Sequence, residues 1–292
     1  MQLTGTYTAI ATPFRLPDYA IDVDALLALI ARQLQAGVSG IVPCGSTGEF
    51  STLTLDERRQ MLETTLRAVD GRAQVIAQTG ASEASDASAL ARHAEAAGAV
   101  AALALPPVGG SLTLDAASRF YDALVEAVQI PVIFYYNPGA TGLALTGEQI
   151  AALCRNTGIH HVKYTSPDVS ALAELLFDHT DIQVLTGWDH LLLFANLAGA
   201  TAAIVGAANV LPEACVQIVD PAAQAAPAGA IAAWRRSAPV LNALGAMGYV
   251  PAVKAASASL GHPLGPPRPP SQTLSPLQAA RLEALVHSAV AA

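Results

Sequence analysis

Lysine occurs only twice in the 292 residues, at Lys163 and Lys254. Lys163 lies in His160-His161-Val162-Lys163-Tyr164-Thr165, a short β-prone run between two stretches of helical period. A strand of that kind in an α/β protein is buried on both faces. An ammonium placed there loses hydration, so its pKa falls and the neutral amine becomes accessible near neutral pH. A neutral amine attacks carbonyl carbon, and the chemistry expected of Lys163 is imine formation. Two blander readings stand beside it. A lysine at a strand end can extend to solvent or pair with an acid, and low lysine can reflect the composition of an Ala- and Arg-rich chain.

The elements that would hold Lys163 follow a regular pattern. Short apolar runs bounded by Gly, Pro or small polar residues fall at 7–12, 40–44, 74–78, 100–105, 131–136, 161–164, 183–186 and 202–205. Segments of helical period lie between them, at 22–36, 56–69, 85–97, 114–128, 146–154, 168–177 and 191–198. Thr54-Leu55-Asp56-Glu57 and Thr146-Gly147-Glu148-Gln149 resemble capped helix starts, and Asp168 is a further cap. Eight strands alternating with helices predict a (β/α)8 TIM barrel. An open doubly wound sheet is the rival, but the first strand ends in Ala11-Thr12-Pro13-Phe14, which cannot form a dinucleotide turn. No G-x-G-x-x-G is present, and no lysine follows Gly45-Ser46-Thr47-Gly48 as a phosphate loop requires. After Asn209 only helices are expected, at 212–219, 228–244, 251–260 and 275–291, with a proline-rich connector at 261–270. The division that follows is a barrel over 1–225 and an α-helical C-terminal extension over 226–292.

In such a barrel, chemistry belongs at the C-terminal ends of the strands. The second strand leads into Gly45-Ser46-Thr47-Gly48-Glu49, whose backbone N–H groups and hydroxyls suit a small carboxylate; an ordinary capped turn is the alternative. The fifth ends in Tyr135-Tyr136-Asn137-Pro138 and the sixth carries Lys163. A period of two puts Tyr135 and Tyr136 on opposite faces, and groups Lys163 with His161 and Thr165. His160 and His161 then point apart, and no His/Asp/Glu cluster recurs at the strand ends, so no metal is expected. Asp189 and His190 follow the seventh strand, where Asp189 can contact substrate.

Composition narrows the partners. With 52% hydrophobic residues a large core is available, and 15 basic against 23 acidic residues leave a net charge of −8. An acidic chain without a basic run suits neither nucleic acid nor an anionic membrane surface. Cys44, Cys154 and Cys215 are scattered and odd in number, as in a reduced cytoplasmic protein. No signal peptide is evident in residues 1–13, and no apolar stretch is long enough to span a bilayer.

Taken together, Gly45-Ser46-Thr47-Gly48-Glu49, Tyr135 in Tyr-Tyr-Asn-Pro, Lys163, Gly187 and Gly199…Asn209-Val210-Leu211-Pro212 resemble the dihydrodipicolinate synthase/N-acetylneuraminate lyase family. The likeness runs from Ala11-Thr12-Pro13 to Pro251-Ala252-Val253-Lys254. It implies a class I lyase or aldolase in which Lys163 forms an imine with pyruvate or a longer 2-oxo acid, with no separate cofactor. Ser46 and Thr47 would hold the carboxylate. Thr47 would also hydrogen-bond Tyr135, the acid/base group at the Lys163 nitrogen and the substrate oxygen, and Gly187 and Ile204 would line the pocket. Lys254 would be structural, and the assembly a homo-oligomer, a dimer or tetramer.

Two departures bear on the reaction. The family's synthases place an arginine after the Tyr-Asn-x-Pro turn, where this chain has Ala140, and a second relay tyrosine where it has Val108. A methyl group cannot replace a guanidinium's charge-assisted bonds. The resemblance therefore points first to an aldolase-type lyase. A dehydratase or deaminase of a sugar acid or hydroxyproline-pathway intermediate is the alternative, ahead of dihydrodipicolinate synthase. A catalytically silent 2-oxo acid binder would keep the pocket but not the turnover.

Overall fold

The computed structural model describes residues 2–108 and 112–291. Eight parallel strands close into a barrel: β1 (Gly5–Ala9), β2 (Gly40–Val42), β3 (Gln74–Gln78), β4 (Ala101–Ala104), β5 (Val132–Tyr136), β6 (His161–Tyr164), β7 (Gln183–Thr186) and β8 (Ala202–Val205). β1 pairs with β8 on one side and β2 on the other, which closes the sheet. The helices are α1 (Val23–Gln35), α2 (Leu55–Val69), α3 (Ala84–Ala97), α4 (Leu114–Ala127), α5 (Gly147–Thr157), α6 (Val169–Asp178), α7 (Leu192–Leu197) and α8 (Pro212–Val219), then α9 (Ala228–Ala246), α10 (Tyr249–Ser259) and α11 (Pro276–Ala291). This is the expected (β/α)8 barrel with a helical C-terminal part.

Each strand divides its side chains between two environments, as its pleat requires. Tyr7, Val42, Ile76, Leu103, Ile133, Tyr135, Leu185 and Ile204 pack together inside the barrel. Phe134, Tyr136, Val162 and Tyr164 face the opposite way and pack with Phe120, Tyr121 and Leu172 of the helical layer. Tyr136 is anchored there, its hydroxyl donating to the Leu145 carbonyl at 3.1 Å. The expected split between Tyr135 and Tyr136, and between Lys163 and its neighbours, is thus the split between lumen and helix layer. At the floor of the barrel Gly40 leaves room for the Tyr7 ring, which a Cβ would strike.

Local chemistry sets the helix starts. Thr54 with Glu57 and Thr146 with Gln149 form reciprocal capping boxes on α2 and α5. Asp168 accepts from the N–H groups of Ser170 and Ala171 at the start of α6. Three features differ from the sequence reading. The first strand ends at Ala9 rather than residue 12, because Asn209 and Gly48 capture Ala11 N–H and the Thr12 hydroxyl. A small antiparallel hairpin, Phe14–Arg15 with Ala20–Ile21, follows that strand and was not anticipated, since two-residue strands carry no period. The last-but-one helix begins at Tyr249 instead of residue 251, directly after Gly248 at φ 83°.

The proline-rich connector is pinned to the barrel. Lys254 of α10 is 3% exposed and its Nζ lies 2.6 Å from a carboxylate oxygen of Glu49, itself 5% exposed. Burial lowers the Lys254 pKa, and the Glu49 carboxylate opposes that. The second Glu49 oxygen accepts the Arg268 backbone N–H at 2.8 Å. The Arg268 guanidinium donates to Glu57, Thr52 O and Tyr19 O, and both cations lie over the Phe14 ring. The sequence reading of Lys254 as structural agrees with this network.

A buried ion pair costs most when one partner is removed. Lys254→Met should destabilise the fold by about 3–5 kcal/mol, read from urea unfolding. Adding Glu49→Gln should restore a large part of that loss. Equal stability of wild type and the single variant would show that the pair holds nothing.

Candidate active site

Register brings the two principal groups together. Tyr135 of β5 and Lys163 of β6 are direct partners across the sheet, and both point into the lumen. Lys163 is 4% exposed. Its Nζ lies 4.0 Å from the centroid of the Tyr135 ring. Gly187 follows β7 directly, and a Cβ there would come within 2.8 Å of Lys163 Cε and strike the Thr165 hydroxyl. Glycine at 187 is therefore the condition for the lysine stem to pass.

The two groups open onto a cavity of about 320 Å³ at the C-terminal ends of the strands. Ser46, Thr47, Tyr135, Lys163, Gly187, Asp189 and Ile204, all singled out from the sequence, line it. Ala9, Asn137, Thr165, Trp188, His190, Gly206, Gly245, Tyr249 and Val250 complete the wall. A larger cleft of about 560 Å³ lies at the other end, around the strand starts. It has neither lysine nor tyrosine, and its one carboxylate, Asp181, is held by Arg155 through two bonds of 2.8 Å. The lysine and tyrosine singled out from the sequence are at the smaller cavity.

The Gly45–Glu49 turn is shaped by close approach. Gly48 sits where a Cβ would come within 2.9 Å of the Ile10 carbonyl, and Glu49 follows at φ 57°. The turn bonds through Glu49 N–H to Ser46 O and Phe50 N–H to Gly45 O. Among the described residues the N–H groups of Ser46 and Thr47 form no hydrogen bond within the protein, so both donors remain for a ligand. The Ser46 hydroxyl lies 3.3 Å from that of Tyr135. The sequence reading gave this contact to Thr47. Ser46 makes it instead, because the Thr47 hydroxyl is turned toward Gly206.

Burial pushes the Tyr135 phenol up, but the Lys163 ammonium and hydrogen bonds from Ser46, Asn137 and Lys163 outweigh it, and its pKa is held below the ordinary tyrosine value. Asp189 is driven the other way. It is 6% exposed, and burial raises its pKa against the Tyr249 hydrogen bond and the charges of His190 and Lys163. Tyr249, from the start of α10, donates its hydroxyl to Asp189 Oδ2. The Thr165 hydroxyl is buried without a partner at the lysine side of the cavity.

The two departures lie outside this wall. Ala140 sits exposed on a single turn, Pro138–Thr141, with its N–H on Asn137 Oδ1. Val108 is 42% exposed on the loop after β4, and Gly109 beside it lies outside the described residues. Tyr249 was missed. It lies far along the chain in a segment whose only sequence signal was helical period, and only the fold brings it to the mouth. Among the described residues no three His, Cys, Asp or Glu side chains converge as a metal site, and no helix is long and apolar enough to cross a membrane. The three cysteines are buried, unpaired thiols.

The tyrosines make a direct check on this electrostatic picture. Desolvation raises the pKa of Tyr7 to about 12 and lifts those of Tyr121 and Tyr249 as well. In a near-ultraviolet tyrosinate titration Tyr135 should be the buried phenol that ionises earliest. Lys163→Ala should move that transition upward and Tyr135→Phe should remove it. An early transition unchanged in both variants would disprove the coupling.

Comparison with known proteins agrees with the geometry. The model of the dihydrodipicolinate synthetase family matches residues 2–289. A 4-hydroxy-tetrahydrodipicolinate synthase of Pelobacter propionicus is 34% identical over 217 residues, 74% of each chain. One from Chlorobium luteolum is 37% identical over 221 residues, 75% of this chain and 74% of its own. A chloride-inhibited dihydrodipicolinate synthase from Acinetobacter baumannii, solved with pyruvate, superposes with a TM-score of 0.93 at 29% identity over 99% of both chains. A prophage protein of the same family from E. coli K12, also solved with pyruvate, gives 0.92 at 26% over 99% of both. The chain belongs to the dihydrodipicolinate synthetase family, class I lyases that work through a lysine imine without an external cofactor.

Proposed function

We propose that Lys163 condenses with the keto group of pyruvate or a longer 2-oxo acid and that the enzyme makes or breaks a carbon–carbon bond at C3. The observation that carries this reading is the Lys163 amine, 4% exposed in the lumen and 4.0 Å from the Tyr135 ring, next to two unspent backbone donors at Ser46 and Thr47. Those donors and the two hydroxyls hold the substrate carboxylate, which sets the keto carbon against the amine. Tyr135 carries protons at the Lys163 nitrogen during carbinolamine dehydration, using the Ser46 hydroxyl as its partner at 3.3 Å. The protonated imine then withdraws electrons from C3, and the enamine forms. Gly187 and Ile204 bound the reacting carbons, and Asp189 faces the chain beyond C3.

The second substrate differs from that of the synthases among the relatives. Ala140 brings no cation and lies outside the cavity wall, so a second carboxylate has no guanidinium to meet there. This favours an aldolase-type lyase over dihydrodipicolinate synthase. The protein acts in the cytoplasm as a homo-oligomer, a dimer or tetramer, in keeping with its three reduced thiols and its family.

Borohydride reduction with pyruvate should attach a stable adduct to the peptide containing Lys163, and Lys163→Ala should abolish it, as read by peptide mass spectrometry. No adduct on folded protein with pyruvate or any longer 2-oxo acid would leave a silent binder. Ala140→Arg should leave native cleavage within about threefold, since the site is off the wall and surface changes of this kind cost little. Efficient condensation with aspartate semialdehyde in that variant, at the expense of cleavage, would restore the synthase reading.

A further inference from the structure

The Arg58 guanidinium, on α2, is buried without an acid beside it. Arg58 is 5% exposed. Among the described residues no carboxylate oxygen lies within 4.0 Å of it, whereas Arg155 meets Asp181 and Arg268 meets Glu57. Its Nη2 donates to the Gln78 carbonyl at 2.9 Å and to Gln78 Oε1, and its Cζ lies 5.5 Å from the centroid of the Phe50 ring. These partners are neutral, and the Nε–H is left without one. A buried charge with no counter-charge is costly. A void of about 10 Å³ adjoins Arg58, between the ends of β2 and β3 and the helices α2 and α3. Space of that size holds one atom-sized guest. Cys44, Leu62, Gln78, Leu90 and His93 share its wall. Gln78 is 4% exposed, and its Nε2 is buried with no partner in the protein, as is His93 Nδ1. Arg58 occupies the Gln78 oxygen, so the amide has its donor side left. His93 Nε2 lies 2.9 Å from Glu63 Oε1, so a protonated ring gives one N–H to Glu63 and keeps the other, on Nδ1, for the void. Donors from β3, α2 and α3 thus border one space, beside a positive charge that no acid offsets.

We propose that this void binds a single halide ion, such as chloride, held by Arg58 Nε, Gln78 Nε2 and the Nδ1–H of a protonated His93. A monatomic anion accepts from all three donors at once and asks for no acceptor in return. A water molecule brings two protons of its own, and it suits the void while His93 is neutral, when Nδ1 is an acceptor. Sulfate and phosphate are too large for the space. Halide and proton therefore enter together: the ion offsets the guanidinium, and the ring proton supplies the third bond. The charged and titratable groups around His93 are placed to allow this. Glu63 of α2 faces Nε2, with Arg67 3.9 Å from its other oxygen. The Cys44 thiol borders the void, and burial pushes its pKa up to about 12, so it stays neutral. Asp86, in the first turn of α3, acts on Arg58 from beyond ion-pair distance. Glu57, whose charge reaches Cys44, is taken by Arg268. Toward α4, Glu95 is occupied by the N–H groups of Gln129 and Ile130. The bound ion ties α2 and α3 to the ends of two strands, one of which leads through Cys44 into the Gly45–Glu49 turn.

The test uses the full-length protein with sodium bromide and sodium chloride as probes. Crystals soaked in bromide at about pH 6, where imidazole is protonated, should show an anomalous peak in the void beside Arg58 and Gln78. In solution at the same pH, sodium chloride should raise the unfolding midpoint by about 2–4 °C over sodium gluconate of equal ionic strength. The chloride Kd should weaken by up to about tenfold per pH unit once the ring loses its proton. His93→Leu should weaken chloride binding about tenfold or more and flatten its pH dependence. Arg58→Met should abolish the chloride-specific gain, and His93→Leu carries the test should Arg58→Met fail to fold. Water in the void and no bromide peak at either pH overturns the proposal. So does a chloride gain no larger than that of gluconate. A chloride gain equal to that of wild type in either variant places the ion elsewhere and overturns it too. A chloride affinity that does not change with pH refutes the linked proton, and with it the three-donor site.

Discussion

One amine inside a closed barrel governs the rest of this molecule. A lysine side chain is long, and the lumen of an eight-stranded barrel is filled by its own side chains. Lys163 fits because the residue after the neighbouring strand is Gly187, where any Cβ would meet the lysine stem. Its charge is tolerated because the ring face of Tyr135 and the Asp189 carboxylate lie around it in a space that water shares only at the mouth. The register between β5 and β6 makes the first of these contacts automatic: Tyr135 and Lys163 are paired, so neither can turn inward without the other.

The same constraint explains why the C-terminal helices cannot be separated from the chemistry. The Gly45–Glu49 turn faces two ways. Ser46 and Thr47 line the cavity, whereas Glu49 turns back, through its left-handed backbone, to bind Lys254 and the Arg268 N–H. Lys254 and Tyr249 belong to one helix, α10. The ion pair therefore fixes the helix that carries Tyr249 against the turn that lines the cavity. A change at this anchor alters stability through the buried charge, and it alters geometry through the phenol. The Arg268 bonds to Glu57, Thr52 and Tyr19 extend the hold to α2 and to the hairpin after β1.

Much of this was legible in the chain, for identifiable reasons. The strands at 74–78, 161–164, 183–186 and 202–205 lie where the apolar runs placed them, because Gly, Pro and polar residues bound them sharply. Capping boxes at Thr54 and Thr146 marked helix starts through side chains three residues apart, which is local information. The lumen positions followed from the period of two. What could not be read was contact between distant segments. Nothing in Tyr249-Val250-Pro251 signals a cavity, and Lys254 gives no sign of which acid it meets. The exchange of Ser46 for Thr47 as the neighbour of Tyr135 is a matter of side-chain direction within one turn, finer than a motif resolves.

The residues that depart from the synthase pattern fall on loops, while Lys163, Tyr135 and Gly187 fall on strands or their immediate ends. That division has a physical cause. Strand positions are coupled through register and lumen packing, so Lys163, Tyr135 and Gly187 can change only together. Ala140 and Val108 are exposed, and replacing them disturbs no packing. A barrel of this kind can therefore keep its way of activating a 2-oxo acid while exchanging what the enamine meets. Here the guanidinium and the loop phenol are absent, and the polar groups left around the far half of the cavity are Asp189, His190 and Tyr249. With no arginine in the wall and a buried carboxylate at Asp189, the far half of the cavity gives a second anion no guanidinium to meet.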